Sequence, residues 1–330
     1  MKKLLLLITI CISTISFGQY TSIPDPNFEQ ALIDLGHDDV IDGQVLTSNI
    51  SGVTYLNVSN KNISDLAGIE EFVGLVNLDA SYNSLNHIEL STLQNLEVLN
   101  LYSNNLDSLS IDSLKESLIF LDVSNNNLST FEWIDNGVWT QGISLYPLNT
   151  LLLGSNQLTS LIIEGTEIST LNIAHNLLSD VDFSTNYYLT TVYCQNNLFS
   201  TLNFNQCLHH LETSGNSLLT CLTISASCSP FLDDPETILS ECPNLTCIEV
   251  DDPIWCNNNL LQVIDPWASF SEDCGDCSGT SNLTELNPNQ PKELIKIVNL
   301  LGQEVEYIPN TVLIYQYSDG TSEKVFTIED

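Results

Sequence analysis

From about residue 53 to residue 250 the chain repeats one short hydrophobic phrase. Leu75, Leu78, Ala80, Asn83 and Leu85 follow the spacing L-x-x-L-x-L-x-x-N-x-L, with Ala80 in one leucine slot. Leu96, Leu99, Leu101, Asn104 and Leu106 follow it again. The asparagine returns at Asn83, Asn104, Asn126, Asn156, Asn176, Asn197 and Asn216, at spacings of 21, 22, 30, 20, 21 and 19 residues. Apolar residues stand eight and five positions before each of these asparagines and two after it. An imperfect first copy starts at Val53 with Lys61 in the asparagine slot, and a last copy starts at Leu245 with Pro253 there.

The alternating x-L-x-L piece predicts a short strand with one face inward. The asparagine amide is suited to hydrogen-bonding the backbone where the chain turns away from that strand. A single copy cannot bury its apolar face, so the copies must stack. Copies of 19–22 residues leave no room for a full helix on the far side, where extended or 3₁₀ segments are expected. Nine strands would give a parallel sheet about 38 Å across. Asp25 to Gly36 reads as a capped amphipathic helix that covers the first copy. Residues 228–277 hold six cysteines with Trp255 and Trp267, and read as a disulfide-stapled cap at the other end.

Charge narrows the function classes. There are 42 Asp+Glu against 7 Lys+Arg, a formal net of −35, and all seven cations are lysines. Nucleic-acid binding needs clustered cations, and so does docking on an anionic membrane. Lys2 and Lys3, the apolar run Leu4 to Ile12 and the small residues Ser16 and Gly18 predict a secretory leader over 1–18. A lipoprotein anchor at Cys11 is disfavoured by the bulky Ile10 before it. The chain after residue 18 then carries about 5 − 42 = −37. It has no apolar run long enough to span a bilayer, so no membrane insertion is expected. Nine cysteines remain (Cys194, Cys207, Cys221, Cys228, Cys242, Cys247, Cys256, Cys274, Cys277); in an exported chain they read as disulfides, with at least one left unpaired. Cys194 is the candidate for a buried free thiol, because it fills an inward strand position.

The repeat resembles the leucine-rich repeat family, in an organisation similar to internalin-like proteins. That resemblance implies a β-rich, right-handed solenoid with a parallel concave sheet, short convex segments and a binding surface on the concave face. After a linker at 278–291, strand-like runs fall at 293–300, 311–317 and 324–328. The runs Ile297 to Val305 and Leu313 to Gly320 resemble the C-terminal sorting domain of type IX secretion substrates. This resemblance implies export by that machinery, hence a secreted protein or one on the outer surface of a Gram-negative bacterium. The expected organisation is a leader at 1–18, a helical cap at 19–52, repeats at 53–227, a last repeat and cap at 228–277, the linker, and a β tail at 292–330.

Register places Tyr55, Asn57, Asn77, Asp79, Tyr82, Asn100, Tyr102, Phe120, Asp122, Asn172, His175, Tyr193, Gln195, His210, Glu212, Glu249 and Asp251 on the concave face. Aromatic rings among amides and carboxylates suit a protein, peptide or glycan partner. The 30-residue copy adds a loop with Trp133 and Trp139, either a contact site or self-packed. His210, Glu212 and Glu249 form a weak metal constellation, and Asp38, Asp39 and Asp42 an acidic turn without EF-hand spacing. Cys274 and Cys277 have redox spacing without the strand–helix context that redox chemistry uses. No catalytic motif is present in the sequence. The expectation is a non-enzymatic monomer that binds a partner without cofactor or metal. A structural matrix component, or an extracellular thiol oxidoreductase using Cys274 and Cys277, are the alternatives.

Overall fold

In the computed structural model, successive repeats lay three-residue strands side by side in one parallel sheet. Described are residues 19–134, 147–224, 236–275, 294–298, 305, 307, 312–317 and 322–326. The expected leader, Trp139, Cys228, Cys277 and the linker lie outside the described residues. The chain divides between Ser278 and Gly279 into two units, each described by itself.

The first unit opens with a cap. β1 (Tyr20–Ser22) pairs antiparallel with β2 (Gln44–Leu46), and between them runs α1 (Pro26–Asp34), with the short α2 (Thr47–Ile50) following β2. Asp25 starts α1 by accepting the backbone N–H groups of Asn27 and Phe28, and Pro26 fits the first turn, where no N–H is needed. The other Asp25 oxygen accepts Ser64 N–H, the Ser64 hydroxyl and Asp65 N–H, so one carboxylate ties the cap to the first repeat. Phe28 packs 6.2 Å from Phe72, and buried Glu29 accepts three backbone N–H groups of the turn at 42–44.

The concave sheet contains β3 (Tyr55–Asn57), β4 (Asn77–Asp79), β5 (Val98–Asn100), β6 (Phe120–Asp122), β8 (Thr150–Leu152), β10 (Thr170–Asn172), β11 (Thr191–Tyr193) and β13 (His210–Glu212), in that spatial order. Their central residues, Leu56, Leu78, Leu99, Leu121, Leu151, Leu171, Val192 and Leu211, are all 0% exposed. Burying each such side chain contributes about 1.5–3 kcal/mol. The register is one-to-one throughout, so residues at one strand position form columns along the solenoid.

The opposite wall changes along the chain. In the first turns it carries 3₁₀ turns at Ile69–Glu71 and Asp112–Leu114. Later it becomes strands: β7 (Thr130–Glu132) beside β9 (Ser160–Ile162), then the sheet β12 (Thr201–Phe204), β14 (Cys221–Ile224), β15 (Cys247–Val250) and β16 (Ser269–Ser271). Trp133, at the start of the long insert, is fully buried.

Two expectations need correction. Among the described residues the concave sheet has eight strands, not nine, and the copy starting at Leu245 is out of phase. Its strand β15 lies in the far sheet, where Ile248 and Val250 point inward. The concave side continues instead through single bridges from Glu212 to Ile238 and from Leu239 to Ile264. Glu249 and Asp251 therefore do not belong to the concave face. Beyond β15, α3 (Pro253–Asn259), capped by Asp252, contacts the last strands, and Cys247 is joined to Cys274.

The second unit is an antiparallel meander of β17 (Leu294–Val298), β18 (Val312–Tyr317) and β19 (Ser322–Phe326), near the three expected runs. No helix among the described residues is long and apolar enough to cross a membrane.

Candidate functional site

The turn that ends each concave strand positions the site. The residue before each repeat asparagine is left-handed: Tyr82, Ser103, Asn125, Ser155, His175 and Asn196 have φ near 55°, and Gly215 takes the same place at 71°. This reverses the chain and aims the asparagine inward. Asn104, Asn126, Asn156 and Asn176 each accept one backbone N–H from the preceding turn and donate to carbonyls of that turn and their own. Asn83 accepts from Lys61 and Ile63 and donates to Val58 and Ala80. Asn197 accepts from Leu178 and donates to Ile173 and Cys194; Asn216 accepts from Asn197 and donates to Cys194 and Thr213. Each amide thereby satisfies backbone groups that would be costly to bury unpaired.

The ladder runs on where the sequence stops spelling it. Glu241 is left-handed at φ 62°, so Cys242 takes the next slot, with its thiol 3.3 Å from the Thr213 carbonyl. Asp265 follows, accepting Glu241 N–H and Cys242 N–H at 3.1 and 2.9 Å. A change from amide to thiol to carboxylate hides the slot from a search for asparagine. A second polar ladder was also missed. On the far wall, buried Asn186 donates to the Ile163 carbonyl and to the Thr166 hydroxyl, and buried Gln206 donates to the Phe183 carbonyl. The spacing of 20 between Thr166, Asn186 and Gln206 was the available signal.

On the concave surface the residues separate into two groups. Tyr55 and Tyr82 are 60% and 58% exposed; Tyr82 and Tyr102 meet edge to face with ring centres 5.1 Å apart. Phe120 is half-buried in the column that begins with Tyr55. Asp79, Asn100 and Asp122 form the parallel column. Asp79 accepts Ser81 N–H and its hydroxyl, Asp122 accepts Ser124 N–H, and Asn57 reaches Asp79 at 3.4 Å. Burial, and then the charge of Asp79, raise the Asp122 carboxyl above its ordinary value. The Tyr102 phenol is also raised, first by the neighbouring Tyr82 and then by burial and Asp122.

Farther along, the outward column is Thr150, Thr170 and Thr191, then His210. By register His210 keeps its expected outward position, but the expectation that it is available to a partner needs correction. It is 2% exposed, with its ring 4.5 Å from Tyr193, so it does not offer its imidazole to a partner. His175 occupies the left-handed turn position, Tyr193 and Gln195 are half-buried, and Glu212 is half-buried and accepts the Ser214 hydroxyl. Asn57, Asn77 and Asn172 are half-buried along the sheet. The structure gathers Tyr55, Asp79, Tyr82, Asn100, Tyr102, Phe120 and Asp122 on β3–β6 and the turns that follow them.

Two cavities of about 360 and 350 Å³ lie elsewhere, lined by residues of 65–92 and 108–132. Neither includes the aromatic column, and an extended partner on an open sheet needs no enclosed cavity. Among the described residues no three His, Cys, Asp or Glu side chains are grouped to hold a metal. Glu249 lies on the far wall, with its carboxylate 3.4 Å from Cys274 N–H. At Asp38 burial, then Glu29, Asp39 and Asp42, raise the carboxyl.

Cys194 is a buried free thiol, as expected, and among the described residues Cys242 and Cys256 are free and buried as well. Burial raises all three, Cys256 to about 11. Cys207 and Cys221 are disulfide-bonded. Cys274 pairs with Cys247 across the cap, so the Cys274–Cys277 redox reading loses its internal disulfide.

No family model matches the chain, and no curated protein does. Among solved structures it is similar to the functional domain of InlJ from Listeria monocytogenes, which includes a cysteine ladder. Identity is 17%, over 72% of this chain and 68% of that one, with a TM-score of 0.32. It is also similar to internalin C2 of Listeria monocytogenes, at 18% identity over 71% of this chain and 99% of that one, TM-score 0.42. A third likeness is to the leucine-rich repeat domain of APL1, at 23% identity over 62% and 51%, TM-score 0.37.

Proposed function

We propose that this chain is a non-enzymatic, internalin-like recognition protein, exported to the cell surface or medium, that binds a protein, peptide or glycan partner on β3–β6 of its concave sheet. The observation that carries this reading is Tyr82. At its turn position the other asparagine-bearing repeats use Ser, Asn, His or Gly, and the Cys242 turn uses Glu241. Tyr82 is the one aromatic ring with a positive φ besides His175 among the described residues, and a bulky residue there costs on the order of 1 kcal/mol. Tyr82 nonetheless stands there, 58% exposed and set against Tyr102, where folding gains little from it. Strain of this kind that is useless to the core is useful to a surface. Export rests on the leader-like sequence at 1–18 and on the resemblance of the tail to a sorting domain.

The test is a peptide and glycan array probed with the full exported chain and with its Tyr82→Ala/Tyr102→Ala variant. The wild type should give selective hits that the variant loses, with Tm within about 2 °C, as expected for one exposed and one half-buried ring outside the core. Hits that persist in the variant would overturn the reading.

A further inference from the structure

We infer that the partner of the concave sheet is a cationic, extended segment whose Lys or Arg side chains recur every third residue; this rests on the concave-face reading above. Charge complementarity is the first argument. Asp79 and Asp122 stand in one column, flanked by Tyr82, Tyr102 and Phe120, and among the described residues of the first unit both lysines, Lys61 and Lys115, are paired with other carboxylates. Among the described residues the two salt bridges are Lys61–Asp34 and Lys115–Asp112, at the cap and on the far wall. The hydrogen bonds these carboxylates accept come from neutral serine and asparagine donors, which leave their charge uncompensated. Aromatic rings beside carboxylates suit Lys and Arg twice over, by ion pairing at the carboxylate and by cation–π attraction at the ring.

Spacing supplies the second argument. Asp79 and Asp122 are two strand positions apart, which at the usual strand separation is about 9.5 Å. A partner crossing the strands must present two cations at that distance on one face. A β-strand brings residues to one face at about 6.6 Å and again at about 13 Å, missing the interval. Polyproline II repeats its face every three residues, at about 9.3 Å. That conformation also docks on aromatic-lined surfaces with little ordering cost.

The test uses fluorescein-labelled peptides titrated into the full chain at low salt. One carries Lys-Pro-Pro-Lys, one has the same composition with its two lysines adjacent, and one carries Gln for Lys. The first should bind, with affinity falling about tenfold in Asp79→Asn/Asp122→Asn. It should change less than about twofold in Asp107→Asn/Glu116→Gln, which removes the same charge from exposed positions off the sheet. The adjacent-lysine peptide should bind several-fold more weakly and the Gln peptide not measurably. Equal losses in the two double variants would mean diffuse attraction to an acidic surface, and would overturn the inference. So would equal binding of the two lysine peptides, or no binding of either. Array hits that depend on Tyr82 and Tyr102 would then keep the concave-face reading standing, whereas their absence would remove both.

Discussion

The first turns of the solenoid and the later ones share one concave sheet but have different far walls, and the difference comes from the period of the apolar residues there. In the first turns the buried far-wall residues stand three apart: Leu66, Ile69, Phe72 and Leu75, then Leu90, Leu93 and Leu96. Three residues per turn is the period of a 3₁₀ turn, which is what forms at Ile69–Glu71. In the later turns they stand two apart: Phe131 and Trp133, Leu161 and Ile163, Leu202 and Phe204, Leu222 and Ile224. That is the period of a strand, and strands form. The lesson is that the asparagine ladder fixes one wall, while the other is free to follow its own periodicity at nearly constant repeat length.

The largest expected effect compares the two polar ladders. Asn126→Ala leaves Leu106 N–H buried without a partner and takes one of two amide bonds from each of the Leu101 and Val123 carbonyls, which keep Asn104 and Asn156. Losing all three bonds should cost about 4 kcal/mol in urea unfolding. Asn186→Ala on the far wall strands only the Ile163 carbonyl and the Thr166 hydroxyl, and these two already face each other at 3.4 Å. It should cost about 1–2 kcal/mol. Equal costs would mean that both walls specify the solenoid alike, and would break the comparison.

Next comes the staple. Replacing Cys247 and Cys274 together by serine opens a loop of 27 residues' separation, which by chain entropy stabilises by about 3.5 kcal/mol. A solenoid passes strain mainly to adjacent turns. Hydrogen exchange should therefore quicken in β14–β16 and stay unchanged in β3–β6. Acceleration throughout would show one cooperative unit instead.

Third is the cap. Burial raises the Asp25 carboxyl, but its bonds from Ser64, Phe28 and Asn27 outweigh this and hold it below the ordinary value. A depressed folded-state value stabilises at pH above the ordinary carboxylate range and is lost as pH falls through the lower folded value. Asp25→Asn should cost about 1–2 kcal/mol at pH 7 and flatten the acid limb of stability against pH, read by thermal unfolding from pH 2 to 6. An unchanged acid limb would remove Asp25 from that role.

How much of this was legible depends on whether the chemistry repeats. The concave strands and Asn83 to Asn216 were readable because one residue type does one job at nearly constant spacing. Cys242 and Asp265 were not, because the slot survives there in backbone geometry while its side chain changes. Leu245 misled for the opposite reason: its leucine spacing imitates the repeat, although the chain has already passed to the far wall. The periods of three and two were present in the sequence, and distinguish the two kinds of far wall. His210 is buried with its ring against Tyr193, a packing that alternation along a strand does not encode.

The smallest effect bears on what each region is for. If the first turns trade stability for recognition, relieving Asp122 should stabilise the fold. Burial, with Asp79 beside it, makes ionised Asp122 unfavourable in the native state, so its folded-state value lies above the unfolded one. The native state therefore binds the proton more readily than the unfolded chain, and falling pH through that raised value favours folding at this site. Asp122→Asn keeps a side-chain oxygen for Ser124 N–H and discards the charge. It should add about 0.5 kcal/mol at pH 7, and the gain should shrink as pH falls through the raised value and vanish below the ordinary carboxylate value, where Asp122 is neutral in both states. Asp182 in the later turns is the control, since its Ser184 bonds hold it below the ordinary value and Asp182→Asn should destabilise instead. Opposite signs at the two aspartates would locate the stability cost on the concave aromatic face. The same sign at both would mean that the acidic surface is uniform, and that the concave carboxylates are held no differently from the rest.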